Sequence, residues 1–278
     1  MKIDSHQHFW AIGRGDYGWI EPSSVALWRD YLPDDLEPLI KQAGVSRTIL
    51  VQAAPTDAET AFLIELARIT PFVAGVVGWA DFDASSAPQR IAALAEAPTL
   101  VGLRPMVQDI ADPEWLARPS LDAAFAALVE ADLALDALVR PIHLPALEKR
   151  LSRTPGLRVV IDHGAKPHIA SGEIAIWREA MSHIARETNV RCKLSGFATE
   201  AGADWGEGVL RPYSDSLLEA FGPQRLLWGS DWPVLNSVGS YARWVEATDR
   251  LLADLGADDR EWIWFRAATE FYQLGAQA

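Results

Sequence analysis

A closed parallel (β/α)₈ barrel in a single domain, residues 1–278, is the fold this sequence predicts. Three observations point to it. The 278-residue length is close to the ~250 residues typical of that architecture. Short β-branched runs alternate about eight times with Ala/Leu/Glu/Arg-rich runs of helical spacing, the βαβ rhythm of a parallel sheet. The strand runs are almost continuously apolar, as strands covered on both faces are. No linker, charge run, low-complexity tract or repeat divides the chain.

The strands follow in order. They are KIDSHQH at the start, SRTILVQ ending at Gln52, FVAGVVGWA through Trp79 and TLVGLRP around Arg104. LALDALV precedes Arg140, RVVIDH ends at His163, VRCKLS ends at Ser195 and RLLWGSD ends at Asp231. Between them, 56–68 opens with a Thr-x-x-Glu capping box and 120–131 follows Pro119 with a Ser cap. Helical spacing also covers about 173–187 and 240–253. Segments 9–33 and 196–212 are rich in Gly, Pro and Trp and are expected as long binding loops or lids.

Composition excludes several classes. Hydrophobic residues make up 49% and charged residues 23%, an ordinary globular balance. The net charge of −13 disfavours nucleic acid and anionic membrane as partners. Cys192 is the only cysteine, so no internal disulfide forms and a reducing cytoplasm is expected. Asp4, His6 and His8 interrupt any apolar leader, and no stretch is long enough to span a bilayer.

In a barrel of this kind the working residues sit where strands end. The first strand offers His6 and His8. Residues two apart on a strand face the same way, so both imidazoles can enter the barrel mouth; a pair of core histidines would look the same. The fourth strand end offers Arg104, and the sixth offers His163 with Lys166 in the loop after it. The eighth, GSDWP, offers Asp231, a carboxylate whose desolvation demands partners or a function. Closure brings these positions together, and the conjunction is stronger than any member. Asp136 and Asp162 read as partnered structural acids, and Lys193 as an inward lysine with a core salt bridge. His143, His168 and His183 read as surface or packing residues. Of the twelve Trp, Trp10, Trp28, Trp79 and Trp232 are candidate stacking surfaces for a ring, with core packing the equal alternative. No nucleophile elbow, phosphate-binding glycine loop or CxxC pair is present.

The HxH opening, DHGAKP, CKLSG and RLLWGSDWP, in this order, resemble the amidohydrolase superfamily (amidohydrolase-related, family 2). More narrowly they resemble its sugar-lactone hydrolase branch, the L-fuconolactonase and L-rhamnonolactonase type. The resemblance runs from SHQHFW to the terminal EFYQL. It implies a distorted (β/α)₈ barrel, water attack on a lactone carbonyl and a role in carbohydrate metabolism. It makes Asp231 the general base, His6, His8 and His163 the imidazoles around the carbonyl, and Arg104 and Lys166 cationic substrate contacts. Binuclear members add a bridging Lys or Glu on the fourth strand and a His on the fifth. Here Arg104 and Leu138, Val139 and Arg140 stand there, so no two-metal centre is expected.

The expected activity is hydrolysis of an aldonolactone to the sugar acid. No cofactor is required; at most one divalent cation, zinc by ligand chemistry, would sit on His6, His8 and Asp231. The rivals are a mononuclear metal-dependent decarboxylase or hydrolase, a lactone isomerase and, from another class, a non-catalytic binding barrel. The sequence names neither the sugar nor the oligomeric state.

Overall fold

The computed structural model describes residues 1–275. Eight parallel strands stand in the order of the chain: β1 Lys2–Gln7, β2 Val45–Val51, β3 Val73–Gly78, β4 Leu100–Leu103, β5 Ala134–Ala137, β6 Val159–Ile161, β7 Arg191–Leu194 and β8 Leu226–Trp228. Helices lie between them: α1 Pro33–Ala43, α2 Asp57–Ile69, α3 Ala87–Ala95, α4 Asp122–Glu130, α5 Leu144–Arg153, α6 Ala175–Glu187, α7 Phe197–Ala201 and α8 Glu207–Phe221. After β8 come α9 Tyr241–Leu251, α10 Ala257–Glu261, a π-helical turn Trp262–Arg266 and α11 Ala267–Phe271. No helix among the described residues is long and apolar enough to cross a membrane.

The chain has two apolar layers. The larger lies between strands and helices, where Leu36, Leu63, Ile91, Phe125, Leu147, Leu217 and Trp244 are buried. Each such side chain contributes roughly 1.5–3 kcal/mol by leaving water. The smaller closes the bottom of the barrel. Ile3, Ile49, Val51, Val77, Val160 and Leu227 pack there with Phe271 and Tyr272 of the C-terminal segment. Ile3 joins that floor, while His6, three residues later, contacts the Lys193 ammonium and Arg104 guanidinium inside the barrel. Strict alternation forbids this. The register break in β1 between Asp4 and Gln7 supplies the extra residue that re-aims His6.

The barrel closes through a polar seam between β1 and the segment after β8. His6 O accepts from Asp231 N at 2.8 Å, Trp232 O from His8 N at 2.7 Å and Trp228 O from Ser5 Oγ at 2.7 Å. The buried Asp4 carboxylate ties the seam, accepting from Ser230 N at 2.8 Å, His6 N at 3.1 Å and Tyr241 Oη at 3.0 Å. Gly229 is required at this approach, since a Cβ there would lie 2.7 Å from His6 Cβ.

Several sequence expectations need correction. The strands are shorter than their apolar runs, so His8, Arg104, His163, Ser195 and Asp231 all lie just past strand ends. Segment 196–212 is not one loop: it carries α7 and the start of α8, where Gly206, Gly208 and Pro212 masked helical spacing. Thr56 does cap α2, accepting from Glu59 N at 3.0 Å. The Glu59 carboxylate, however, reaches on to Ala53 N and Ala54 N, at 2.9 Å each, and so fixes the β2–α2 loop rather than completing a box. Ser120 sits in a 3₁₀ turn and makes no cap; α4 starts at Asp122.

Arg150 is fully buried and anchors the long segment after β4. It donates from Nε to Leu116 O at 2.8 Å, from Nη2 to Arg118 O at 2.7 Å and from Nη1 to Asp122 at 2.7 Å. Arg150→Met strands these acceptors and is expected to lower stability by about 2–4 kcal/mol in urea unfolding. An unchanged midpoint and slope would show that the segment needs no such anchor.

Candidate active site

At the C-terminal mouth of the barrel lies a cavity of about 570 Å³. His8, Arg104, His163, Lys166 and Asp231 all line it, together with Asp16, Gly18, Trp19, Ala53, Pro55, Met106, Gln108, Asp109, Leu138 and Val234. His6 lies beneath, fully buried. Asp231 Oδ1 is 3.4 Å from His8 Nε2 and 3.8 Å from both His6 Nε2 and His163 Nε2. Three strand ends, those of β1, β6 and β8, thus bring three imidazole nitrogens around one carboxylate oxygen.

The backbone around this point is strained. His163, Ala165, Lys166 and Asp231 all have φ between 53° and 59°, a region non-glycine residues rarely occupy. Such conformations persist only where surrounding structure enforces them, and they cluster at functional sites. Gly196 makes room for the imidazole of His163: a Cβ there would lie 2.6 Å from His163 Nδ1.

Hydrogen bonds constrain the imidazoles. The Val51 carbonyl can only accept, so His8 Nδ1, 2.7 Å away, carries a proton. In neutral His8 that leaves Nε2 as a lone pair facing Asp231, which suits a water, a proton or a cation between them. His163 Nδ1 is 2.9 Å from Ser195 Oγ. Burial pushes the His163 imidazole down from 6.5 to about 4, against the pull of Asp231 and Asp162, so it is neutral near pH 7. Burial and the neighbouring Lys193 charge likewise hold His6 well below the ordinary imidazole range. Burial pushes the Asp231 carboxyl up, but His163, His8 and His6 outweigh it, and the group lies below the usual carboxylate range.

Arg104 is less free than the sequence suggests. Nη1 lies 3.3 Å from both Asp162 Oδ2 and His6 Nε2, and Nη2 donates to the Gln52 carbonyl. Its guanidinium is bound to protein acceptors and adds positive charge to the cavity floor. Lys166 pairs with Glu200 at 3.0 Å and stays partly exposed on the cavity wall. Of the candidate stacking surfaces, none lines the cavity. Trp10 and Trp232 are buried; Trp232 packs edge-on against Phe9 and Tyr31, and Trp10 edge-on against Tyr31 and tilted against Tyr17. Trp79 borders a separate recess, and Trp28 is exposed outside. The aromatic wall is Trp19, half exposed, with its indole N–H on the Ala53 carbonyl at 2.7 Å. Spacing in the 9–33 loop carried no signal that would have singled it out. Asp136, Asp162 and Lys193 are mutually paired. His143 is buried off the cavity, and His168 and His183 are exposed.

The donor atoms fit one divalent ion. Tetrahedral zinc with ligands at about 2.0–2.1 Å has ligand-to-ligand edges of about 3.3 Å. The 3.4 and 3.8 Å separations around Asp231 are close to that, and His6, His163 and Asp231 form a compact donor group. The second donor group, His6 with Asp136 and Asp162, already holds a cation, the Lys193 ammonium.

Residues 3–274 match the amidohydrolase family, and the chain belongs to it. It is 45% identical over 281 residues to an L-fucono-1,5-lactonase of Burkholderia ambifaria, covering 99% of this chain and 96% of that one. It is 37% identical over 294 residues to an L-fucono-1,5-lactonase of Burkholderia multivorans, covering 99% and 96%. A crystal structure of an amidohydrolase from Burkholderia multivorans with bound zinc superposes with a TM-score of 0.91 at 38% identity, covering 99% of this chain and all of that one.

Neutral burial of His163 gives a pH signature. Its folded value of about 4 lies below the ordinary 6.5. The stabilisation is therefore complete above pH 6.5 and is lost as pH falls towards 4, because only the unfolded chain takes up the proton. The difference amounts to about 3 kcal/mol. Unfolding free energies at pH 7.5 and pH 4 should diverge less in His163→Gln by roughly that amount. Parallel pH curves for the two proteins would contradict a neutral buried His163.

Proposed function

We propose that this chain hydrolyses a sugar-derived 1,5-lactone, of the L-fucono-1,5-lactone kind, to the open sugar acid. Full-length likeness to two L-fucono-1,5-lactonases supports a lactone hydrolase. The observation that carries the mechanism is one carboxylate oxygen within 3.4–3.8 Å of three imidazole Nε2 atoms on a cavity floor.

Lactone hydrolysis requires water to lose a proton as it attacks, an oxyanion to be stabilised and an alkoxide to be protonated. Asp231, ionised at working pH, takes the proton from water. His8, with its Nε2 lone pair beside Asp231, orients that water. Donors from His6 and His163 receive the developing oxyanion, for which Ser195 must donate to His163 Nδ1 so that Nε2 carries the proton. The ring C–O bond then breaks, and protonated Asp231 returns its proton to the leaving alkoxide. Lys166 orients substrate oxygens by charge-assisted bonds, and Trp19 offers a flat apolar face to the ring. A divalent ion, held by His6, His8, His163 and Asp231, would polarise the carbonyl as a Lewis acid when bound. The Arg104 charge near His6 Nε2 disfavours it electrostatically. The reaction needs only the side chains, because a ring ester is already activated.

Asp231→Asn should lower kcat on L-fucono-1,5-lactone by roughly 10²–10⁴ with the melting temperature preserved. Near-wild-type turnover in a folded variant would remove Asp231 from the chemistry. Purified protein should hold at most one divalent ion, and lactonase activity should survive its chelation. Elemental analysis with assays before and after chelation decides this. Two tightly held metals, or complete and zinc-reversible loss of turnover, would overturn the metal-independent reading.

A further inference from the structure

Beneath the catalytic floor, Lys193 is fully buried in the middle of the barrel. Its ammonium donates to Asp136, lies 3.0 Å from Asp162 Oδ1 and donates to His6 Nδ1 at 3.0 Å. Asp136 is also held by Tyr272 Oη at 2.8 Å. A lysine on β7, two acids on β5 and beyond β6, and the catalytic histidine of β1 thus share one closed cluster. The proposed reaction gives Lys193 no contact with substrate.

We propose that Lys193 is a positioning residue that fixes His6 as its Nε2–H tautomer, turning it into a donor aimed at the lactone carbonyl and away from metal ligation. The reasoning is one of donors and acceptors. An ammonium has no lone pair, so a hydrogen bond from Nζ to Nδ1 requires Nδ1 to be unprotonated. In neutral His6 the proton then lies on Nε2. The competing tautomer would donate from Nδ1 to Asp162 Oδ1 at 3.3 Å. That oxygen has no hydrogen-bond partner of acceptable geometry, so the carboxylate lies off the N–H direction. Arg104 Nη1 also points at Nε2, at 3.3 Å, while bonding Asp162 Oδ2 at the same distance; the shorter 3.0 Å bond from the Lys193 ammonium outweighs it and sets the tautomer. Asp231 Oδ1 lies 3.8 Å from Nε2, too far to accept from it, so a ligand oxygen entering from the cavity can take the N–H. An Nε2–H cannot coordinate zinc, so one hydrogen bond both arms the oxyanion donor and weakens the metal site.

The inference rests on the lactonase reading only for its kinetic consequence, so its test begins without substrate. Metal-free enzyme with ¹⁵N-labelled histidine is examined by NMR, with the His6 signals assigned by their loss in His6→Gln. The expected result is a protonated Nε2 and an unprotonated Nδ1. In Lys193→Met the proton should move to Nδ1, and zinc affinity, measured by chelator competition, should rise by about 10–100-fold. Lactonase kcat should fall by about 10–100-fold with KM little changed. If Lys193→Met fails to fold because Asp136 and Asp162 lose their cation, the double variant with Asp136→Asn removes one acid along with the ammonium. A proton on Nδ1 in the wild type, or a folded variant whose tautomer and zinc affinity are unchanged, overturns the proposal.

Discussion

Everything at the barrel mouth depends on the seam that joins β1 to the segment after β8. A parallel barrel has to close its first strand on its last, and among the described residues a single bridge, Gln7 to Trp232, is of the strand type. Hydrogen bonds from Asp231 N, His8 N and Ser5 Oγ complete it, and Asp4 ties both sides. The Asp4 carboxyl is pushed up to about 6 by burial, with its hydrogen bonds opposing. A buried acid under that load is retained because it satisfies backbone donors that no strand partner reaches. The same bonds place His6, His8 and Asp231 on facing backbones. The candidate cluster is therefore a by-product of how the barrel closes.

Charge balance inside the barrel follows from the same geometry. Lys193 and Arg104 bring one cation to each ring nitrogen of His6, at Nδ1 and Nε2 respectively, while Asp162 answers both. Burial pushes the Asp162 carboxyl up, but Lys193, then His6 and Arg104, outweigh it and hold the group well below the usual range, whereas burial pushes the Asp136 carboxyl up to about 6. Inside this barrel the positive charge beside His6 comes from side chains. A solved relative carries zinc, and the nitrogen and oxygen donors here can accept one ion.

The barrel was legible in the sequence because periodicity reports burial. Near-continuous apolar runs could only be strands covered on both faces, and their ends pointed to His6, His8, Arg104, His163, Lys166 and Asp231, which do share one cavity, His6 from below. What failed had local causes. Glycines and Pro212 concealed α7 and α8 within 196–212. Tryptophan identity said nothing about direction, so Trp10, Trp28, Trp79 and Trp232 were candidates on equal terms, and Trp19, in a loop without periodicity, was missed. Asp16, Gln108 and Asp109 escaped for the same reason: loop residues reach a site through tertiary contacts that spacing does not encode. Arg104 was found in the right place but with its partners unseen, because Asp162 and the Gln52 carbonyl are remote in sequence. The bulge that turns His6 inward is likewise a property of pairing between strands.

The central claim is that the lactone carbonyl lies between Asp231 and the imidazoles of His6 and His163. A crystal structure of the metal-free enzyme with the corresponding sugar lactam, which keeps the ring and carbonyl but resists hydrolysis, tests it most directly. The account expects the lactam oxygen about 3 Å from His6 Nε2 and His163 Nε2, with a water between Asp231 and the carbonyl carbon. A ring seated elsewhere in the cavity, with its carbonyl directed to Lys166 or to solvent, would contradict it.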